Sequence, residues 1–412
     1  MQIVEQHIIL SNSPFYKECD SLCFKTKNLY NSCLYLLRQA YIKDGTNLLY
    51  ELHKQMKDTE QYRALPAKVS SGVILMVQQN FKSFFAALKA YTVNPSMFKG
   101  RPCLPHYLDS ENGRFVASYT NQAISKKIFN KTHKIKLSLI NIEFKTKIEN
   151  FIDINCVRIV PRIGYYVIEV IHTIDTKPIM DDNDRYLAID LGVSNLATIT
   201  SNDKNILPVI INGRPLKSMN QFYNKKLAYY RSMLEKRNKK YTSKRINKLT
   251  LKRKNKIDNY LHKASKEIVK MCVDNNINTL IIGKNNSWKQ ESNMGKRSNQ
   301  TFVNIPHSRF IDMLRYKCEI EGINIKLQEE SYTSKASFLN LDYIPTYKAK
   351  SNAKHGFSGY RYRRGLYKIR GEKVFINADV NGSYNILRKA IPRAFSDGIE
   401  GFGVNPTVIT VN

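Results

Sequence analysis

The sequence predicts a mixed α/β domain in its second half, preceded by a small β-rich domain that a helical segment interrupts. Three observations predict this. Residues 185–200 read as two strands joined at Gly192, the first apolar on both sides of a single carboxylate, Asp190. Across 185–390 the order is three strands, helix, strand, helix, strand, insert, helix. Before residue 99 the apolar spacing is mainly helical, and after it the pattern turns to short strands punctuated by Gly and Pro.

Taken in order, residues 1–10 alternate through Ile3, Ile8 and Leu10 as an opening strand. Leu22, Leu29, Cys33, Leu36, Leu37 and Ala40 place a helix over 14–41, which Asp44-Gly45 ends. A second helix spans 68–91, with Val73, Val77, Phe81, Phe84, Phe85 and Leu88 on one face; that spacing makes the aromatics core. Together 14–98 form a helical insert. Strands follow near 115–120, 134–140 and 143–148, then a hairpin over 152–173 turning at Pro161-Arg-Ile-Gly164; with 1–13, the stretch 99–180 reads as a small barrel. The polar stretch 174–184 marks a domain boundary.

Beyond it the core spans 185–330 and 376–392, with a third strand near 205–211 and one long helical segment over 218–274. Strands at 278–283 and 323–330 flank a polar loop with Trp288, Lys289, Lys296 and Arg297, followed by a helix at 306–321 that Gly322 ends. Residues 331–375 read as an irregular basic insert, and 393–412 as a loosely held, flexible tail.

The charge is one-sided: 66 Lys and Arg against 34 Asp and Glu leave +32, which implies a polyanionic partner. No run of eighteen apolar residues exists and Met1-Gln-Ile-Val-Glu has no signal-peptide pattern, so the expected partner is nucleic acid rather than membrane, in the cytoplasm. Between 221 and 256 there are fourteen Lys or Arg and one acid, Glu235. An exposed helix normally interleaves Glu, so Lys225, Lys226, Arg231, Lys244, Arg245, Lys252 and Arg253 are expected to meet phosphates. Between 348 and 370, eight Lys or Arg, among them Arg361, Arg363 and Arg364, interleave with tyrosines and no acid. The seven cysteines are dispersed, with no CxxC pair, so no structural zinc is expected.

A carboxylate in a central strand is costly unless a cation meets it. Asp190 at the first strand and Asp379 at the last helix occupy the places where an RNase H-like nuclease core holds two Mg²⁺ ions. Each has a plainer reading: Asp190 pins the Gly192 turn, and Asp379 caps its helix.

From roughly residue 20 to 392 the chain resembles the TnpB (OrfB) proteins of small bacterial transposons, RNA-guided DNA nucleases related to type V CRISPR effectors. The carriers are Ala188-Ile-Asp-Leu-Gly-Val-Ser-Asn-Leu-Ala-Thr, Arg214-Pro-Leu-Lys, Thr242-Ser-Lys-Arg, His262-Lys-Ala-Ser, Tyr332-Thr-Ser-Lys and Ala378-Asp-Val-Asn-Gly-Ser-Tyr-Asn-Ile. The resemblance implies a barrel-like wedge domain interrupted by a recognition domain, then a RuvC nuclease domain. It also implies a guide RNA, target double-stranded DNA beside a short motif, a bacterial nucleoid setting, and Asp190 and Asp379 as metal ligands. Whether one chain or two assemble is left open.

Two departures stand out. Family members usually end the strand matching 278–283 with a glutamate, where this chain has Gly283-Lys284, and they usually carry a four-cysteine zinc ribbon after the Tyr-Thr-Ser stretch. Either the nuclease is dead and only binds, or the acid has moved to Glu330, with Glu329 the alternative. The next strand lies roughly 10 Å from the Asp190 strand, a gap a Glu reaching over Gly283 could largely close. Three functions stay open: an RNA-guided endonuclease, a nuclease-dead binder that represses, and a transposase acting directly on DNA ends.

Overall fold

The computed structural model describes residues 1–238, 241–284, 305–346 and 355–411, so the expected loop residues Trp288, Lys289, Lys296 and Arg297, and part of the basic insert, lie outside the described residues. The chain divides into two units, Met1–Ile174 and Asp175–Asn412. Among the described residues no helix is long and apolar enough to cross a membrane.

In the first unit, strand β1 (Gln2–Leu10) is followed by helices α1 (Tyr16–Asp44) and α2 (Ala67–Val93), with two short helices, Leu52–Met56 and Glu60–Arg63, between them. Helix α1 stops where the sequence expects. Gly45 takes the left-handed conformation at φ +64°, its N–H bonds the Tyr41 carbonyl, and Thr46 N–H bonds that of Ala40. Strands β2 (Ala117–Thr120), β3 (Ile154–Arg162) and β4 (Tyr165–Thr173) join β1 in an antiparallel sheet of order β1-β4-β3-β2. The apolar stripes of α1 (Cys19, Leu22, Cys23, Leu29) and α2 (Val73, Val77, Phe81) meet Val157, Ile159 and Ile168 of this sheet in one core.

Two expectations change here. The strands form an open four-stranded sheet plus a separate pair, Lys134–Lys136 with Glu143–Lys145, instead of one closed barrel. The hairpin also turns later than expected. Pro161 and Arg162 remain in the ladder opposite Tyr166 and Tyr165, and Gly164 at φ +83° makes the corner.

The second unit is built on a six-stranded sheet. Its strands are β5 (Tyr186–Leu191), β6 (Asn195–Ser201), β7 (Val209–Asn212), β8 (Thr279–Gly283), β9 (Asn324–Gln328) and β13 (Thr407–Ile409), in the order β9-β8-β5-β6-β7-β13. Strands β5, β6 and β7 form an antiparallel meander, and β8 and β9 run parallel to β5. This is an RNase H-like mixed sheet. Helices α3 (Arg214–Asn238), α4 (Lys244–Asp274) and α5 (His307–Ile320) lie between the strands in sequence, and α6 (Ala378–Ala390) comes between β9 and β13.

Period-two alternation assigns the two faces of the sheet. Leu187, Ile189 and Leu191 of β5, with Leu280 and Ile282 of β8, pack against Leu261 and Ile268 of α4 and Phe310 and Leu314 of α5. Tyr186, Ala188 and Ile281 pack on the opposite face against Tyr384, Ile386 and Leu387 of α6. Asp190 and Gly283 therefore fall on the α6 face, and since Ile282 pairs with Ile189 they come level with each other.

Three further expectations are corrected. The segment 218–274 is two helices; Ser243 caps α4 by accepting from Ile246 N–H at 3.3 Å, a start signal that ends the single-helix reading. The insert is not wholly irregular: β10 (Gly359–Arg363), β11 (Leu366–Ile369) and β12 (Phe375–Asn377) form a three-stranded antiparallel sheet leading directly into α6. Nor is 393–412 a loose tail, because Phe395 is buried and β13 pairs in parallel with β7, Thr407 opposite Val209.

Gly322 ends α5 at φ +71°, and a Cβ there would run into the Pro178 carbonyl oxygen. Gly322→Ala is expected to destabilise the fold by at least about 1 kcal/mol, read as a lower midpoint in urea unfolding of the purified chain.

Candidate active site

Four chain ends converge on the α6 face: the C-terminal ends of β5 and β8, the loop after β9, and the first turn of α6. Asp190 is next to last in β5. Its Oδ2 lies 2.7 Å from where a Cβ would stand on Gly382, one turn into α6, so any other residue there would push the Asp190 carboxylate aside. Burial, then the charges of Glu330 and Asp379, hold the Asp190 carboxyl well above the usual range, with Arg361 opposing.

Asp379 does not cap its helix. Asn377 does, its Oδ1 accepting from the N–H groups of Asp379 at 3.0 Å and Val380 at 3.2 Å. The Asp379 carboxylate is left to face outward from the helix start, where the dipole favours it. Asn195 Nδ2 donates to its Oδ2 at 2.6 Å and the Arg361 guanidinium to its Oδ1 at 3.2 Å.

The consecutive acids 329 and 330 have different surroundings. Glu330 Oε2 lies 2.8 Å from the Cβ that Gly283 lacks, so this carboxylate occupies space any other residue at 283 would fill. Burial, with Glu329 beside it, lifts the Glu330 carboxyl to about 7, against the pull of Lys389. Glu329 instead accepts from Lys389 Nζ at 2.5 Å and from Ser331 N–H at 2.8 Å. Burial raises the Glu329 pKa, but the Lys389 and Ser331 bonds outweigh it and the net shift is downward. Lys389, with its side chain only 7% exposed, also donates to the carbonyls of Ser331 at 2.9 Å and Pro345 at 3.1 Å, and so anchors the loop that carries Glu330.

A cleft of ≈ 1110 Å³ opens beside Asp190 and Asp379, and Asn195, Arg214, Lys217, Ser334, Arg361 and Arg364 share its lining. Arg364 reaches Ser194 Oγ at 3.3 Å. Among the described residues, no three His, Cys, Asp or Glu side chains stand as a ready metal cage.

Of the basic residues expected at phosphates, only Arg361 and Arg364 line this cleft. Arg363 is exposed nearby, its guanidinium 5.2 Å over the Tyr362 ring. Lys225, Lys226, Arg231, Lys244, Arg245 and Lys252 are exposed on α3 and α4. Arg253 differs from them. It donates to Asn220 Oδ1 at 2.7 Å and lies 4.8 Å over the Tyr223 ring, so it ties α4 to α3; of the exposed residues Arg245 also reaches across, 4.7 Å over the Tyr230 ring. Sequence reasoning assigned no role to Asn195, Arg214, Lys217, Asn377, Gly382 or Lys389. Asn195, Arg214, Lys217 and Gly382 stood in quoted motifs, whereas Lys389 carried no signal beyond its helix.

Two family models match successive parts of the chain, nearly all of them in the second unit. Residues 170–289 match OrfB_IS605, described as "Probable transposase", and residues 307–386 match the Cas12f1-like TNB domain. No curated protein matches the chain. Among solved structures, the Cas12f1–sgRNA–target DNA complex aligns at 16% identity over 90% of this chain and 82% of that one, with a TM-score of 0.52. The mini-RNA-guided endonuclease CRISPR-Cas_phi3 aligns at 9% identity over 99% and 94%, with a TM-score of 0.46. At the first of these identities the likeness speaks to the fold alone.

Lys389→Met strips the loop that carries Glu330 of its anchor. The expected cost is about 1–2 kcal/mol, below the full value for a broken buried pair because Glu329 is partly solvated. Denaturant unfolding of Lys389→Met beside Glu329→Gln checks it, the lysine variant being the weaker of the two.

Proposed function

We propose that the chain is an RNA-guided DNA endonuclease that hydrolyses DNA phosphodiesters with Mg²⁺ at a guide-matched site beside a short motif. The observation that carries this reading is the convergence of Asp190, Glu330 and Asp379 at one end of an RNase H-like sheet, with glycines at 283 and 382 where side chains would keep the acids apart. The donor set fits the ion: hard carboxylate oxygens, with the charges of Glu330 and Asp379 bearing on a buried Asp190, suit a small divalent cation. Mg²⁺ is commonly held by one or two carboxylates with waters and substrate phosphate, so a complete protein cage is not required.

In this reading Asp190, Glu330 and Asp379 hold the metal, and Glu329 serves as loop support. When bound, the metal ions activate a water and neutralise charge on the phosphate. The chain's own residues do the rest. Asn195 and Arg361 fix the orientation of Asp379, while Arg214, Lys217 and Arg364 along the cleft set the scissile strand by its phosphates. The first unit supplies the wedge and recognition functions, gripping guide RNA and reading the adjacent motif. Its excess of positive charge suits that partner.

One observation favours a second reading, a nuclease-dead RNA-guided binder: the strand ends in Gly283-Lys284, where the family it resembles usually has a glutamate. The matched "Probable transposase" description raises a third, direct action on transposon ends.

Asp190→Ala is expected to abolish Mg²⁺-dependent cleavage of guide-matched DNA while leaving RNA binding intact; cleavage that survives the change overturns the assignment. Glu330→Gln should abolish cleavage and Glu329→Gln should retain most of it. A dead binder would show the same target occupancy in all three variants and cut in none, wild type included. RNase treatment of the complex separates a transposase, whose strand transfer needs no RNA.

A further inference from the structure

The basic pair α3 and α4 carries aromatic residues that phosphate contact alone does not use. Phe222 is 59% exposed and Tyr229 is 56% exposed. They are seven residues apart on α3, so they share one side of the helix about 10 Å apart along its axis. Beside Phe222, α3 and α4 enclose a pocket of ≈ 310 Å³. Met219 and Leu249 give it an apolar floor, Phe222 and Tyr223 an aromatic wall, and the exposed Lys252 and Lys256 a cationic rim.

The wall is braced. The Tyr223 hydroxyl pairs with Thr250 Oγ1 at 3.1 Å, and the Arg253 guanidinium lies over its ring, itself held by Asn220. A pocket this small is at the lower limit for small-molecule sites. It admits one ring system and excludes a duplex. The surrounding segment, with fourteen cations and one acid between 221 and 256, selects a polyanion. An apolar slot with an aromatic wall inside such a field matches a flat base joined to flanking phosphates.

We propose that this pocket takes one unpaired nucleobase of a single strand, stacked against Phe222 and Tyr223, with Lys252 and Lys256 on the neighbouring phosphates and Tyr229 as the next platform along α3. This rests on the nucleic-acid reading above but not on cleavage.

The test measures binding of fluorescent single-stranded RNA, single-stranded DNA and duplex DNA to the full chain without divalent metal, over a range of salt. Phe222→Leu keeps the apolar volume and removes the ring. It should weaken single-strand binding about 5- to 100-fold without changing the salt slope, and leave duplex binding unchanged. Lys252→Ala and Lys256→Ala should each flatten the single-strand slope by about 0.7. Phe222→Tyr should retain wild-type affinity, which separates loss of stacking from misfolding. A 2-aminopurine in the strand should be quenched by wild type and not by Phe222→Leu. Loss confined to RNA or to DNA identifies which strand is held, and either supports the site. Equal weakening of duplex binding, or single-strand affinity indifferent to Phe222→Leu, overturns it. Failure of wild type to bind any of the three nucleic acids would instead overturn the parent reading.

Discussion

The second unit is organised around crowded negative charge. Asp190, Glu330 and Asp379 come from a strand, a loop and a helix start, and burial makes their repulsion expensive. Space for two of them exists only because Gly283 and Gly382 have no side chains. The surrounding contacts compensate at the edges: Asn195 and Arg361 hold Asp379, and Lys389 fixes the strand-end loop through Glu329 and two carbonyls. Arg361 and Lys389 bring positive charge to the edges of the cluster, and the proposed chemistry starts from the acids they leave crowded.

Much of the architecture was legible because it rests on period. The apolar run of β5, the stripes of α1 and α2 and the stop signals at Gly45 and Gly322 are local, and each appears where the pattern puts it. What escaped depended on partners far along the chain. Strand β13 is three residues whose register is set by β7, so no pattern of its own marks it. The β10–β12 sheet lies among exposed tyrosines and arginines, with little apolar alternation to show. That the first unit's sheet stays open was beyond strand spacing to decide, since order and pairing are tertiary facts.

The site was legible in a different way. Asp190 stood out as a lone acid in an apolar strand, and Asp379 as an acid at a helix start, but only the Asn377 bonds show that Asp379 is not the cap. Between two adjacent glutamates sequence offers almost nothing. Geometry separates them, one turned to Lys389 and the other over Gly283. Arg253 shows the opposite failure: a charge count makes it equivalent to Lys252, yet packing gives it to Asn220 and Tyr223.

The outermost strand joins segments about 198 residues apart, as the Asn212–Thr410 bond beside it shows. Closing so long a loop carries an entropic cost that three ladder positions repay only once the rest of the sheet exists. Asn405, Pro406 and Val408 also line the cleft. One wall of that space is thus built from the far end of the chain, held by a non-local pairing whose few contacts hold only with the rest of the sheet in place.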